Sequence, residues 1–206
     1  MNIEVKNSIK PVDYLKSMKF LEKRVEDVAL GKKGELLWIL EHNTVYTAGT
    51  SSNNKDLIDK NLKVIKSRRG GKHTLHSPGQ KVVYFVLNLN RRKKDIRELV
   101  TKIENCIIEI LNEYNIKSFP DRKNIGIWVK KNNNTAKIAA IGIRVKKWIA
   151  FHGFSLNISN NLDEYKKIIP CGIKDKDITN LQLIKNQSYK KIKDEIIYNF
   201  IKNLET

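Results

Sequence analysis

Apolar residues alternate between two periods along this chain, and the switches mark its elements. Tyr14, Met18, Leu21, Val25 and Val28 recur near helical spacing, which predicts a helix over Pro11–Leu30 with Pro11 in its first turn and Gly31 as its stop. Leu36–Leu40 is a short apolar run, read as a buried strand that leads through Glu41-His42 to a second run at Tyr46–Gly49. Val64-Ile65 and Val82–Leu87 read as further strands, the latter β-branched and aromatic throughout. A D-x-x-E cap at Asp95 and Glu98 then opens an amphipathic helix carrying Ile96, Leu99, Ile103, Ile107, Ile110 and Tyr114. Ile125–Lys130 and Ala136–Val145 predict a hairpin turning at Asn132-Asn133-Asn134, and Trp148–Ile158 a third strand. Strands joined by short turns are antiparallel. Ser188 is the expected cap of a last helix with Ile192, Ile196, Phe200 and Ile201. The order predicts an α+β domain, helices packed on a mixed or antiparallel sheet. No repeat or linker divides it, so residues 1–206 read as a single catalytic domain.

Composition narrows the class. The chain has 206 residues, 40% of them hydrophobic, enough for a cored globular domain. No apolar run approaches the roughly 20 residues of a membrane span, and the first ten residues lack a signal-peptide core. A cytoplasmic protein is the expectation. Two cysteines build neither a disulfide framework nor a four-cysteine zinc site. Cys106 falls at core positions of the second helix, whereas Cys171 lies in Ile-Ile-Pro-Cys-Gly, where no periodicity buries it. One inert thiol and one loop thiol suit chemistry by a single cysteine. The net charge of +18, from 40 basic and 22 acidic residues, favours polyanions or acidic proteins as partners. The lysines are spread along the whole chain, which fits a compositional bias as well.

The densest chemistry sits between Arg69 and Gln80. Gly70, Gly71, Pro78 and Gly79 supply turns, and His73 and His76 supply titratable rings. Glycine pairs let backbone approach a bound group closely. A Gly-rich loop delivered by a core strand is either a substrate cradle or a long hairpin loop.

Four further segments, taken with that loop, resemble the lipoyl(octanoyl) transferases. Arg69-Gly70-Gly71 with His76-Ser77-Pro78-Gly79-Gln80, Lys137 to Arg144, and Phe151 to Asn157 follow the family's pattern. So do Pro170-Cys171-Gly172 with Thr179 and Leu181, and Glu41-His42 with Tyr46-Thr47-Ala48-Gly49. The resemblance spans Leu36 to Leu183. It implies the fold of the catalytic domain of biotin and lipoate ligases. It also implies transfer of an octanoyl group from octanoyl-acyl carrier protein, through a thioester on Cys171, to a lysine of an apo lipoyl domain. Acceptors would be the lipoyl domains of 2-oxoacid dehydrogenases and the glycine cleavage H protein. Lys137 would be the partner of Cys171. The substrate-binding set would be Arg69, Gly70, Gly71, Lys72, His73, Thr74, Leu75 and His76, with Ala140, Ile141, Gly142, Gly153, Phe154 and Ser155. No cofactor, metal, nucleic acid or membrane is implied.

The residue types suit this chemistry on their own terms. A free thiol near pKa 8.5 is only a few per cent thiolate at neutral pH, and an adjacent ammonium raises that share. A lysine acts as base only where an apolar setting disfavours its charge, and Ala136, Ile138, Ala139, Ala140 and Ile141 surround Lys137 in sequence. His76 is read as lining the site; a structural histidine bonded to its loop is the other reading. His73, His152 and His42 are read as structural. Gly142 and Gly153 are expected to flank the acyl tunnel. Three positions depart from the family pattern: Ser77 for glycine, Ala140 for serine, and Arg68 for an acid. The competing readings are an ATP-dependent lipoate or biotin ligase of the same fold, a cysteine hydrolase, and a basic nucleic-acid-binding module.

Overall fold

A computed structural model describes residues 3–131, 134–169 and 177–205. Its backbone is a mixed sheet covered on both faces. In chain order the strands are β1 Ile3–Asn7, β2 Glu35–Leu40, β3 Val45–Ala48, β4 Val64–Lys66, β5 His73–His76, β6 Gln80–Asn88, β7 Ser118–Pro120, β8 Ile127–Lys131, β9 Asn134–Lys146, β10 Ile149–Asn157 and β11 Asp177–Ile178. The helices are α1 Tyr14–Ala29, α2 Ile96–Glu113, α3 Leu181–Ile184 and α4 Ile192–Glu205. The large sheet runs β1-β2-β6-β10-β9-β8-β7, with β11 added in parallel to β9; β4-β3-β5 form a small second sheet. β1 pairs with β2 in parallel, while β2, β6, β10, β9, β8 and β7 pair antiparallel in turn.

Alternation along the central strands divides the core. Leu37, Ile39, Val83, Phe85 and Leu87 face α2 and α4 and join Leu99, Ile103, Ile107, Ile110 and Phe200 in the main cluster. Leu36, Trp38, Leu40, Val82, Tyr84 and Val86 face the other way, where α1 covers them with Leu21, Val25 and Val28. Period-2 strands with both faces covered read as unbroken apolar runs, and this is why β2 and β6 stand out in the sequence.

The structure differs from the sequence reading at several ends. Helix α1 begins at Tyr14, not Pro11: the Asp13 side chain caps it by accepting from Lys16 N at 2.9 Å, while Val12 N donates to Glu41 O and ties the preceding residues to the end of β2. Gly31 ends the helix in the left-handed region, φ 67°. Asp95 caps α2 as expected, accepting from Arg97 N and Glu98 N, but the Glu98 side chain pairs with Lys93 and does not close the box. Helix α4 starts at Ile192, so Ser188 is not its cap. Strand β1 and the one-turn helix α3 carried too little periodicity to be read. The predicted hairpin pairs Lys131 with Asn134; Asn132 and Asn133 lie outside the described residues. β9 and β10 turn through Lys147 and Trp148, both at positive φ (52° and 59°), a two-residue hairpin made without glycine or asparagine.

The Arg69–Gln80 stretch is not all loop. Its middle, His73–His76, is strand β5, paired antiparallel with β3 so that Thr47 faces Thr74. This small sheet closes over the α1-side face of the large one and forms a cleft there.

Candidate active site

The cleft is open to solvent at one side, with about 540 Å³ of free space when its mouth is included. Its floor is the large sheet: Val82 and Tyr84 from β6, Gly153 and Ser155 from β10, Ala140 and Gly142 from β9. Its roof is the segment Arg69 to Thr74 with His76, and Tyr14 at the start of α1 closes one side. Of the expected substrate-binding residues the cleft collects Arg69, Gly70, Gly71, Lys72, His73, Thr74, His76, Ala140, Ile141, Gly142, Gly153, Phe154 and Ser155. Leu75 lies elsewhere. It is fully buried in a separate cluster with Tyr46, Tyr165 and Ile168, because alternation in β5 turns it away from its neighbours.

The roof is held by Arg69. Its Nη2 donates to Thr47 Oγ1 (2.8 Å), Thr47 O (3.0 Å) and Lys72 O (2.8 Å), and its Nη1 to Gly70 O (3.0 Å). The guanidinium therefore shapes the glycine loop from within. A Cβ on Gly49 would stand 2.2 Å from Gly71 O, so the two glycine segments meet backbone to backbone. On the floor, Gly153 and Gly142 are register partners. A Cβ on Gly153 would lie 1.9 Å from Val83 O, which β6 could not accommodate.

Glu41 fixes the turn that follows. Its Oε2 accepts from Gly79 N at 2.8 Å and its Oε1 from Lys81 Nζ at 2.6 Å. Ser77 stands outside the left-handed region, so a side chain is tolerated there. Nothing in the structure explains Arg68.

The buried histidines have assignable tautomers. His76 Nδ1 lies 2.7 Å from Gln80 Oε1. The Gln80 amide nitrogen donates to Asn157 Oδ1 (2.9 Å) and Tyr165 Oη (3.0 Å), which leaves its oxygen to accept, so the His76 proton sits on Nδ1. His42 donates from Nδ1 to Val12 O (2.6 Å) and accepts at Nε2 from Tyr84 (2.8 Å). Burial, reinforced by the neighbouring His42, pushes His76 down to about 3; burial likewise lowers His42. Both are neutral rings. His76 borders the cleft, and its ring is pinned by the Gln80 side chain, not by loop backbone.

Lys137 opens onto a smaller cleft beside the first. Thr74, Ala140 and Ser155 border both, and Ala139, Asn157, Tyr165 and Ile178 complete the smaller one. Lys137 is 5% exposed, and its Nζ donates to Ile125 O at 3.0 Å above the Trp128 ring, 4.8 Å from the centroid. Gly126 passes close over it: a Cβ there would be 3.1 Å from Lys137 Cε. β11 docks on the same residue, with Ile178 its register partner and Thr179 N donating to Lys137 O at 3.0 Å. Cys171 lies outside the described residues, as do Pro170 and Gly172. Cys106 is fully buried in the main core, and burial raises its thiol pKa, as befits an inert packing residue.

Sequence reasoning missed Tyr14, Val82, Tyr84 and His152 as cleft residues. The first three carried only helix or strand periodicity. For His152 the adjacent glycine was the available signal.

The sheet order and its covering helices are the fold of solved lipoate protein ligases, and the sequence matches the lipoyl protein ligase A/B catalytic domain. The chain belongs to that family, which its residues 13–201 match. Its curated relatives include the octanoyltransferase of Ehrlichia chaffeensis, 44% identical over 182 residues, which covers 87% of this chain and 85% of the relative. The octanoyltransferase of Parvibaculum lavamentivorans is 46% identical over 178 residues, 83% of this chain and 78% of the relative. Among solved structures, a bi-partite lipoate protein ligase from Thermoplasma acidophilum superimposes with a TM-score of 0.74 at 13% identity, covering 99% of this chain and 85% of the other. A lipoate-protein ligase A bound with ATP gives 0.73 at 14%, covering 98% and 86%. These structures share the fold. No helix among the described residues is long and apolar enough to cross a membrane.

Proposed function

We propose that this acyltransferase works by covalent relay through Cys171, with Lys137 as its partner. The enzyme is an octanoyltransferase of protein lipoylation, the activity carried by its relatives' names. The donor in this reading is octanoyl-acyl carrier protein. The acceptor is the target lysine of an apo lipoyl domain, in 2-oxoacid dehydrogenases or the glycine cleavage H protein. The setting is the cytoplasm, and residues 1–206 act as one catalytic domain.

One observation carries the assignment. The small cleft of Lys137 is lined by Tyr165 and Ile178, which flank the Pro170-Cys171-Gly172 segment in sequence. Both stretches of chain that lead to the cysteine thus converge on the lysine.

In the first step the Cys171 thiolate attacks the donor carbonyl. A carbon–sulfur bond forms to Cys171 as the carbonyl–carrier sulfur bond breaks, and the carrier thiolate leaves with the proton of the Lys137 ammonium, which leaves the Lys137 amine neutral for the second step. In the second step the acceptor amine attacks the Cys171 thioester, an amide forms, and the Cys171 thiolate departs. The amine's surplus proton goes to Lys137 or to the departing sulfur. A positive charge beside the sulfur favours the thiolate in both steps. The larger cleft, floored by Gly142 and Gly153, receives the acyl chain. Burying about seven methylenes there contributes at most roughly 5–6 kcal/mol.

The test is intact mass after incubation with octanoyl-acyl carrier protein and no ATP. An octanoyl adduct that hydroxylamine removes and Cys171→Ala abolishes is expected. An absent adduct, or one that persists in Cys171→Ala, ends the relay. A strict requirement for ATP would favour the ligase chemistry of the same fold.

A further inference from the structure

Strand β10 breaks its own alternation at one residue. Ala150, Phe154 and Leu156 pack into the core under α2 and α4, and Ile149 and Phe151 into the core under α1. By that pattern His152 belongs with Ala150 and Phe154 on the α2 and α4 side. It is not there. His152 has φ 71°, in the left-handed region, and its ring stacks on that of Phe151, with centroids 4.7 Å apart and planes 22° apart. Two consecutive side chains therefore share one face, and His152 lines the cleft.

A left-handed conformation costs a non-glycine residue roughly 1–2 kcal/mol, and such strain persists where the surroundings enforce it. No hydrogen bond among the described residues explains it. His152 is 5% exposed, and its Nε2 is buried without a partner among the described residues. The His42 and His76 rings, by contrast, are each pinned by hydrogen bonds. Burial keeps the ring uncharged, pushing its pKa down to about 3.

Its place along the cleft matters. The Ala140↔Ser155 pair borders the Lys137 cleft, and the Ile143↔His152 pair lies three positions further along the same two strands. At about 3.3 Å per residue this is about 10 Å, comparable with an extended octanoyl chain. We infer that the His152 imidazole, carried onto the cleft face by its backbone conformation, is the wall that sets how long an acyl chain the cleft accepts. This rests on the acyl-transfer reading above. It makes His152 a specificity-determining residue.

The test compares kcat/KM for octanoyl-, decanoyl- and dodecanoyl-acyl carrier protein, with an apo lipoyl domain as acceptor. His152→Gly and His152→Asn are the informative variants, because both residue types accept positive φ and so should fold; a thermal melt checks this. The decanoyl-to-octanoyl ratio should rise at least about tenfold in His152→Gly and less in His152→Asn, following side-chain size. A ratio unchanged from wild type, or an equal slowing of all donors, overturns the wall while leaving the transfer reading intact. A wild-type protein that transfers none of the three chains overturns the transfer reading, and the wall with it.

Discussion

The two faces of the large sheet are built from the same strands and do opposite work. The face under α2 and α4 gathers Leu37, Val83, Phe85, Ile103, Ile107 and Phe200, and no histidine. The opposite face, with the small sheet above it, holds the four histidines of the chain, the Tyr14 and Tyr84 hydroxyls and the Gly142–Gly153 pair. Alternation sends apolar side chains to both, so hydrophobicity alone does not separate them. The difference lies in what covers each face. Two long amphipathic helices seal one side. On the other, α1 covers one part, and a short three-stranded sheet and a glycine loop leave room beside it. A site needs such an incomplete lid, and the sealed face supplies the stability that tolerates it.

This contrast can be broken most forcefully with acid. His76 and His152 titrate near 6.5 when unfolded but are held down to about 3 in the fold. Between those values the unfolded chain binds more protons, so stability falls as pH drops from about 6.5 toward 3, by several kcal/mol per group. Urea midpoints at pH 7 and pH 4.5 should differ widely, and His152→Asn should flatten the slope. Equal midpoints would mean that these rings are not buried neutral.

Next in size is a cavity on the sealed face. Ile103→Ala should cost about 2–5 kcal/mol of stability with kcat/KM unchanged below the melting transition. A loss of activity in the folded variant would show that the faces are coupled. On the cleft face, Tyr84→Phe removes one oxygen and leaves His42 Nε2 without its donor. A loss of about 1–3 kcal/mol is expected, together with a lower kcat/KM. A change in stability alone would make Tyr84 a packing residue. The smallest effect is at Asp13, where alanine should remove about 1 kcal/mol through the lost cap and leave catalysis intact. A larger loss would show that the start of α1, which places Tyr14 in the cleft, is more tightly linked to the site than its single capping bond suggests.

Much of this protein was legible without coordinates. Helix α2, strands β2 and β6 and the β8–β9–β10 antiparallel run follow from local period, since each buries a face that the sequence marks. The Arg69, Lys137 and Phe151 segments stand out in the sequence by residue type and spacing. Strand β5 was hidden because its residues sit among glycines, and β1 because it is a half-exposed edge strand whose pairing is decided elsewhere. Tyr14 and Tyr84 read as core because they are core; that they also border a cleft depends on the small sheet lying above them. Leu75 stood within a run of site residues and was turned from them by one step of alternation. His152 is the opposite case: the pattern assigns it inward, and a single positive φ delivers it to the cleft. Periodicity and residue chemistry are local properties, so the chain alone determined most of its elements and its candidate reactive groups. Which groups share one cavity depends on pairings between distant strands and on backbone conformations that only the assembled sheet enforces.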